Sequence, residues 1–165
     1  MVTQTAGGRP LRGVLWLGKR LLLADATFLL VAGGMSFLLE LLGHFANIGP
    51  FARMFYGSSY TIGFVEAHGL AVLTALLLYR ASASNQRHFW HLYAAGVHAL
   101  LGSANVLFWG DVLNFGFPLI LVVTTIVHGL LALAQGSCFV LTRGDVHSQV
   151  RGRPQHSHSL EGGNA

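Results

Sequence analysis

From residue 112 to residue 142 the chain carries no Asp, Glu, Lys or Arg. About 20 apolar residues in a helix cross the hydrocarbon of a bilayer, so this block alone points the chain toward lipid. The whole sequence agrees. It is 53% hydrophobic and only 10% charged, where a soluble globular domain has about a quarter of its residues charged. A multi-pass integral membrane protein is expected.

Four blocks are long enough to span, namely 21–45, 60–79, 89–109 and 117–141. The bilayer core gives the backbone no water to bond, so each span must be a helix that closes its own hydrogen bonds. The expected fold is therefore all-α, a four-helix transmembrane bundle over residues 21–142. Residues 1–20 read as a lead-in. A secretory signal is the competing reading for this end, but its apolar region is too long for a signal core and no small-x-small cleavage site follows. Residues 143–165 are polar and include Arg151, Arg153, His156 and His158, which predicts a disordered basic tail.

Basic residues set the expected orientation. Arg9, Arg12, Lys19, Arg20, Arg80, Arg87, Arg143, Arg151 and Arg153 fall on one side of this topology, and Arg53 alone on the other. By the positive-inside rule both termini are cytoplasmic. The net charge of +4 is then a topology signal, and no nucleic-acid partner is needed to explain it. Trp16, Tyr79, Trp90 and Tyr93 near the inner boundary, with Tyr60, Phe108 and Trp109 near the outer, suit the aromatic belts of a bilayer. Cys138 is the only cysteine, so no internal disulfide can form.

Polar residues inside a membrane are costly and usually have a task. On the third span His91, His98 and Asn105 recur every seven residues, which returns them to nearly one helix face. On the first, Gly33, Ser36, Glu40 and His44 make a second stripe of small and polar side chains. Asp25 is expected near the inner surface, paired with Lys19 or Arg20. Glu66 and His68 on the second span are about 200° apart and must find separate partners. The fourth span adds Thr124, Thr125, His128 and Gln135. The outer loop, with Gly49 and Pro50 as a turn signal and Phe51, Met54, Phe55 and Tyr56 as apolar content, is expected to cover the outer end as a short amphipathic helix. Short connections make helices two and three, and helices three and four, antiparallel neighbours.

Counted from the basic anchors, His68, His98 and His128 lie roughly 16 to 22 Å deep at 1.5 Å per residue. Three imidazoles at one level suggest a ligand set, because imidazole is the commonest protein ligand for such metals and for haem. The cofactor expected from this layer is haem b or a transition metal (Zn, Cu or Fe), held by His68, His98 and His128, with Glu66 as a further oxygen ligand for a metal. Electron transfer would follow from haem. The sequence has no H-E-x-x-H and no C-x-x-C-H motif, and no serine or cysteine nucleophile beside an evident base, so no catalytic residue is assigned. The structural alternative is that each histidine bonds a carbonyl, Asn105, Thr124 or Gln135 across helices. A second function is proton or small-solute passage. It would run along an outer polar cluster of Glu40, His44, Glu66 and Asn105, through the histidine layer, to His88 and His91 at the inner edge. A homo-oligomer, or a non-catalytic subunit of a larger membrane complex, completes the range.

Overall fold

The computed structural model describes residues 9–84, 87–114 and 116–151, so residues 1–8 and 152–165, with His156 and His158 of the tail, lie outside the described residues. The described residues are almost all helical, with no strand among them. Six helices follow in order: α1 Arg9–Ala46, α2 Ala52–Phe55, α3 Thr61–Ala81, α4 Arg87–Leu107, α5 Trp109–Asn114 and α6 Pro118–Arg151. Three contain segments long and apolar enough to cross a membrane: Leu15–Ala46, Thr61–Ala81 and Pro118–Arg143. This is the architecture of a membrane protein. Large apolar side chains such as Leu100, Leu119, Leu133 and Val140 are largely exposed, as they would be against acyl chains. α4 matches α3 in length at 21 residues, but Arg87, three histidines and Asn105 make it less apolar.

α1 begins at Arg9, so the described part of the lead-in is the first turns of the same helix. At the other end α6 continues to Arg151. α1 packs mainly with α3, and α4 mainly with α6. α3 and α4 are joined by a short turn yet meet only lightly, for instance at Thr74 Oγ1 and Tyr93 Oη, 3.4 Å apart. Sequence adjacency fixes their antiparallel sense without making them close partners.

Small residues explain the tight pair. A Cβ on Gly33 of α1 would lie 3.0 Å from Ala71 Cβ and 3.3 Å from the His68 carbonyl. The backbones therefore approach to a distance only glycine allows, the small-residue packing common between membrane helices. The core lies where Leu22, Ala26 and Leu29 of α1 meet Ala71, Ala75 and Leu78 of α3 and Ala94 of α4.

At the far end Asn47 (φ 55°) and Gly49 (φ 100°) turn the chain, and α2 folds back over the bundle. Phe55 is buried there against Phe64, and Phe51 lies edge-on to Phe117. The expected short covering helix is thus present as α2. A further short helix, α5, occupies the connection before α6.

Candidate functional site

Leu22, Ala26 and Leu29 mark the buried stripe of α1, and Asp25 lies on the same face with no exposed surface. A carboxylate taken out of solvent needs donors. It has two. Oδ1 lies 2.7 Å from His98 Nε2 of α4, and Oδ2 accepts from Gln135 Nε2 of α6 at 2.5 Å. Both partners reach further: His98 Nδ1 is 2.9 Å from His128 Nδ1, and Gln135 Oε1 is 2.6 Å from His91 Nδ1. The result is an unbroken line of five side chains, His128, His98, Asp25, Gln135 and His91, supplied by three helices. Asp25, His91, His98 and Gln135 are all fully buried.

Valence assigns the protons. An ionised carboxylate only accepts, so His98 donates from Nε2 and Gln135 donates from its amide nitrogen. Neutral His98 then has a bare Nδ1, which must accept from the Nδ1–H of His128. Gln135 is left with its carbonyl oxygen for His91, so His91 donates from Nδ1. The free lone pairs fall at the two ends, on Nε2 of His128 and Nε2 of His91.

His91 Nε2 is buried and has no hydrogen-bond partner. It faces Gly18 of α1, where an added Cβ would sit only 2.9 Å away. Glycine at 18 is what lets this ring stand where it does. At the other end the Phe28 ring lies against both His98 and His128, at centroid distances of 6.3 and 6.1 Å, so the imidazole pair has an apolar wall on the α1 side.

A second carboxylate and imidazole pair joins α1 to α3, nearer α2. Glu40 is 2% exposed, and its Oε1 is 2.6 Å from His68 Nδ1. The separation is that of an ion pair, but the angles are not those of a hydrogen bond, and Glu40 Oε2 has no partner. His44, one turn beyond Glu40, bonds the Phe55 carbonyl at 2.9 Å and Thr61 Oγ1 at 3.1 Å. It ties α2 and the start of α3 to the end of α1.

No known protein family, curated protein or solved structure matches this chain.

The residues singled out by sequence are thus divided between two places. His98 and His128 meet, with ring centroids 5.1 Å apart, while His68 is engaged by Glu40. Glu66 is exposed on α3, away from the buried carboxylates. Asn105 donates to Thr124 Oγ1 at 3.1 Å, a tie between α4 and α6. His88 is half-buried at the start of α4. Among the described residues no group of three or more His, Cys, Asp or Glu side chains is arranged to hold a metal ion. Two imidazole nitrogens sharing a zinc would each stand about 2.0–2.1 Å from it; the 2.9 Å between the Nδ1 atoms is the distance of a direct hydrogen bond.

Asp25 corrects the expectation most sharply. It does not pair with Lys19 or Arg20, both of which are exposed; Arg20 stacks over Trp16 instead. Counting depth from residue 21 placed Asp25 at the surface. With the apolar segment starting at Leu15, it lies ten residues in, about 15 Å along the axis. The signal was in the sequence: Asp25 falls three residues after Leu22 and four before Leu29, on the stripe that α1 buries.

Proposed function

We propose that the chain is a four-span membrane protein that moves protons, with α1, α3, α4 and α6 as the spans and both termini cytoplasmic, as the distribution of basic residues favours. The observation that carries this reading is the line of hydrogen bonds from His128 through His98 to Asp25. Intramembrane chains of Asp, Glu and His are the material of proton relays.

The steps balance without any other reactant. A proton arriving at Nε2 of His128 releases the Nδ1 proton to His98 Nδ1. His98 passes its Nε2 proton to Asp25 Oδ1. Both imidazoles end neutral in the opposite tautomer, and Asp25 holds the proton as an uncharged carboxylic acid. The reverse sequence returns the proton to its entry side; net movement requires Asp25 to release it toward His91 by water, since the Gln135 amide relays none. Gln135 keeps Oδ2 in place and fixes which nitrogen of His91 carries hydrogen.

Voltage-driven proton uptake into proteoliposomes, followed with an internal pH dye, tests the reading. Wild-type protein should acidify vesicles well above the protein-free leak, and Asp25→Asn should lower the rate at least tenfold. A wild-type rate equal to the leak contradicts it.

Ligation of haem or a transition metal by His68, His98 and His128 is the second reading, favoured by the meeting of two imidazoles from adjacent helices. It requires His98 to give up Asp25 or His128, and His68 to give up Glu40. A visible spectrum and metal analysis of the purified protein decide it: a stoichiometric metal or a Soret band lost in His98→Ala would establish ligation.

A further inference from the structure

Among the described residues three buried side-chain atoms lack a hydrogen-bond partner, Glu40 Oε2, His68 Nδ1 and His91 Nε2. His68 Nδ1 lies in ion-pair contact with Glu40 Oε1, and we propose that the other two, at opposite ends of the bundle, are the outer and inner mouths of a proton path through it. This assignment rests on the proton-moving reading above and adds to it where protons enter and leave. Leaving a buried polar atom unpaired costs on the order of 1–3 kcal/mol, so such atoms call for an explanation. Both belong to carboxylate or imidazole groups, which take up and release protons. Both are effectively sealed, at 2% and 0% exposure for Glu40 and His91.

Their spacing matches a membrane. His91 Nε2 faces Gly18, and α1 runs unbroken from there to Glu40. From position 18 to position 40 is 22 steps, about 33 Å at 1.5 Å each, against a hydrocarbon core of about 30 Å. The unpaired atoms therefore mark the two boundaries, and the five-residue line, from His91 at the level of Gly18 to His128 beside Phe28, occupies the inner part of the depth between.

Each mouth has a simple cover. Over His91 it is the bare backbone of Gly18, beside the end of the bundle where Arg87 Nη1 donates to the Leu15 carbonyl. For Glu40 it is α2, about one turn beyond, which packs on Gly43 and is held down by His44 and by Phe55. Between Glu40 with His68 and the imidazole of His128, no hydrogen bond among the described residues completes the line, and Phe28 borders the gap. Protons cross this step on water admitted when the pair of α1 and α3 breathes. A proton taken by Glu40 passes to His68 Nδ1, restoring the carboxylate, and then by water to His128 Nε2. Beyond Asp25 it passes by water to His91 Nε2, which takes it beside its Nδ1–H and releases it to the inner side, while the Gln135 amide stays a fixed bridge.

The test uses the full chain with Cys138→Ser, in vesicles of known orientation, carrying one new cysteine at a time. A membrane-impermeant methanethiosulfonate reagent is added to one side. Glu40→Cys should react only from the side of α2, His91→Cys only from the side of the termini, and each at least tenfold faster than the core control Leu29→Cys. Reaction from the opposite side, or no faster than the control, overturns the assignment. Proton uptake by Glu40→Gln is the companion measurement, with a loss of at least tenfold expected. If Glu40→Gln conducts as the wild type does while Asp25→Asn does not, the mouth is wrongly placed and the relay stands. If wild-type protein conducts nothing above the leak, relay and mouths fall together.

Discussion

Asp25 and Glu40 are both buried carboxylates of α1 paired with a histidine, yet they are held very differently. Asp25 draws donors from α4 and α6 and uses both oxygens. Glu40 meets one imidazole of α3 with poor hydrogen-bond angles and leaves an oxygen unpaired. The first arrangement fixes a geometry, because each oxygen has a donor and three helices must stay in register to keep it so. The second leaves a group free to change partner. Within one helix, a fully bonded acid serves as a hub and a half-bonded one as a terminus.

The comparison breaks most readily at the hub. Asp25→Ala removes the acceptor of two buried donors, each costing about 1–3 kcal/mol when unpaired, so unfolding in mixed micelles should shift by about 2–6 kcal/mol. Glu40→Ala removes a contact with His68 that is no full hydrogen bond and should cost less, about 1 kcal/mol or below. Equal losses would erase the distinction.

Glycines sharpen it next. Gly33→Ala drives a methyl onto Ala71 Cβ and the His68 carbonyl, neither of which can rotate away, and overpacking of this kind costs about 1–3 kcal/mol. Gly18→Ala meets the His91 ring, which can tilt. Its stability cost should be the smaller of the two, while its proton uptake should fall at least fivefold, because the tilt breaks the bond to Gln135. A Gly18→Ala protein that conducts normally would remove His91 from the path.

Glu40→Gln should change stability by less than about 1 kcal/mol, since an amide keeps a polar contact with His68 and no full hydrogen bond is lost. Smallest of all is Asn105→Ala. It deletes one hydrogen bond between helices, worth about 0.6 kcal/mol on average in a membrane, and should leave proton uptake unchanged. A large effect of Asn105→Ala on uptake would mean that the polar line extends toward α5.

Three of the four expected spans, the covering helix and the inward stripe of Gly33, Glu40 and His44 were legible because each rests on a local property, apolar length or helical spacing. The seven-residue step of His91 and His98 also put them on one face, and both are buried there. What spacing along single helices does not contain is how helices slide past one another. Equal depth for His68, His98 and His128 came from counting to basic residues. Such counts say nothing of how α3 sits against α4 and α6, and α6 runs past Arg143 to Arg151, so equal counts do not make equal levels. His68 meets Glu40 in place of the other two histidines. Gln135 was recognised as one residue of a polar seam, but its task of bridging Asp25 and His91 depends on α1, α4 and α6 together. Glu66 shows the converse: a carboxylate in an apolar stretch invites an inward reading, yet its 200° offset from His68 turns it out once His68 faces α1.

The central claim is that Asp25 takes the proton passed on by His128 and His98. Infrared difference spectra between acid and neutral buffer measure this directly through the carboxylic acid C=O stretch. The account predicts a buried-carboxyl band on acidification that is absent in Asp25→Asn, weakened in His98→Gln and retained in Glu66→Gln. A spectrum in which Asp25→Asn leaves every carboxyl band unchanged would contradict it.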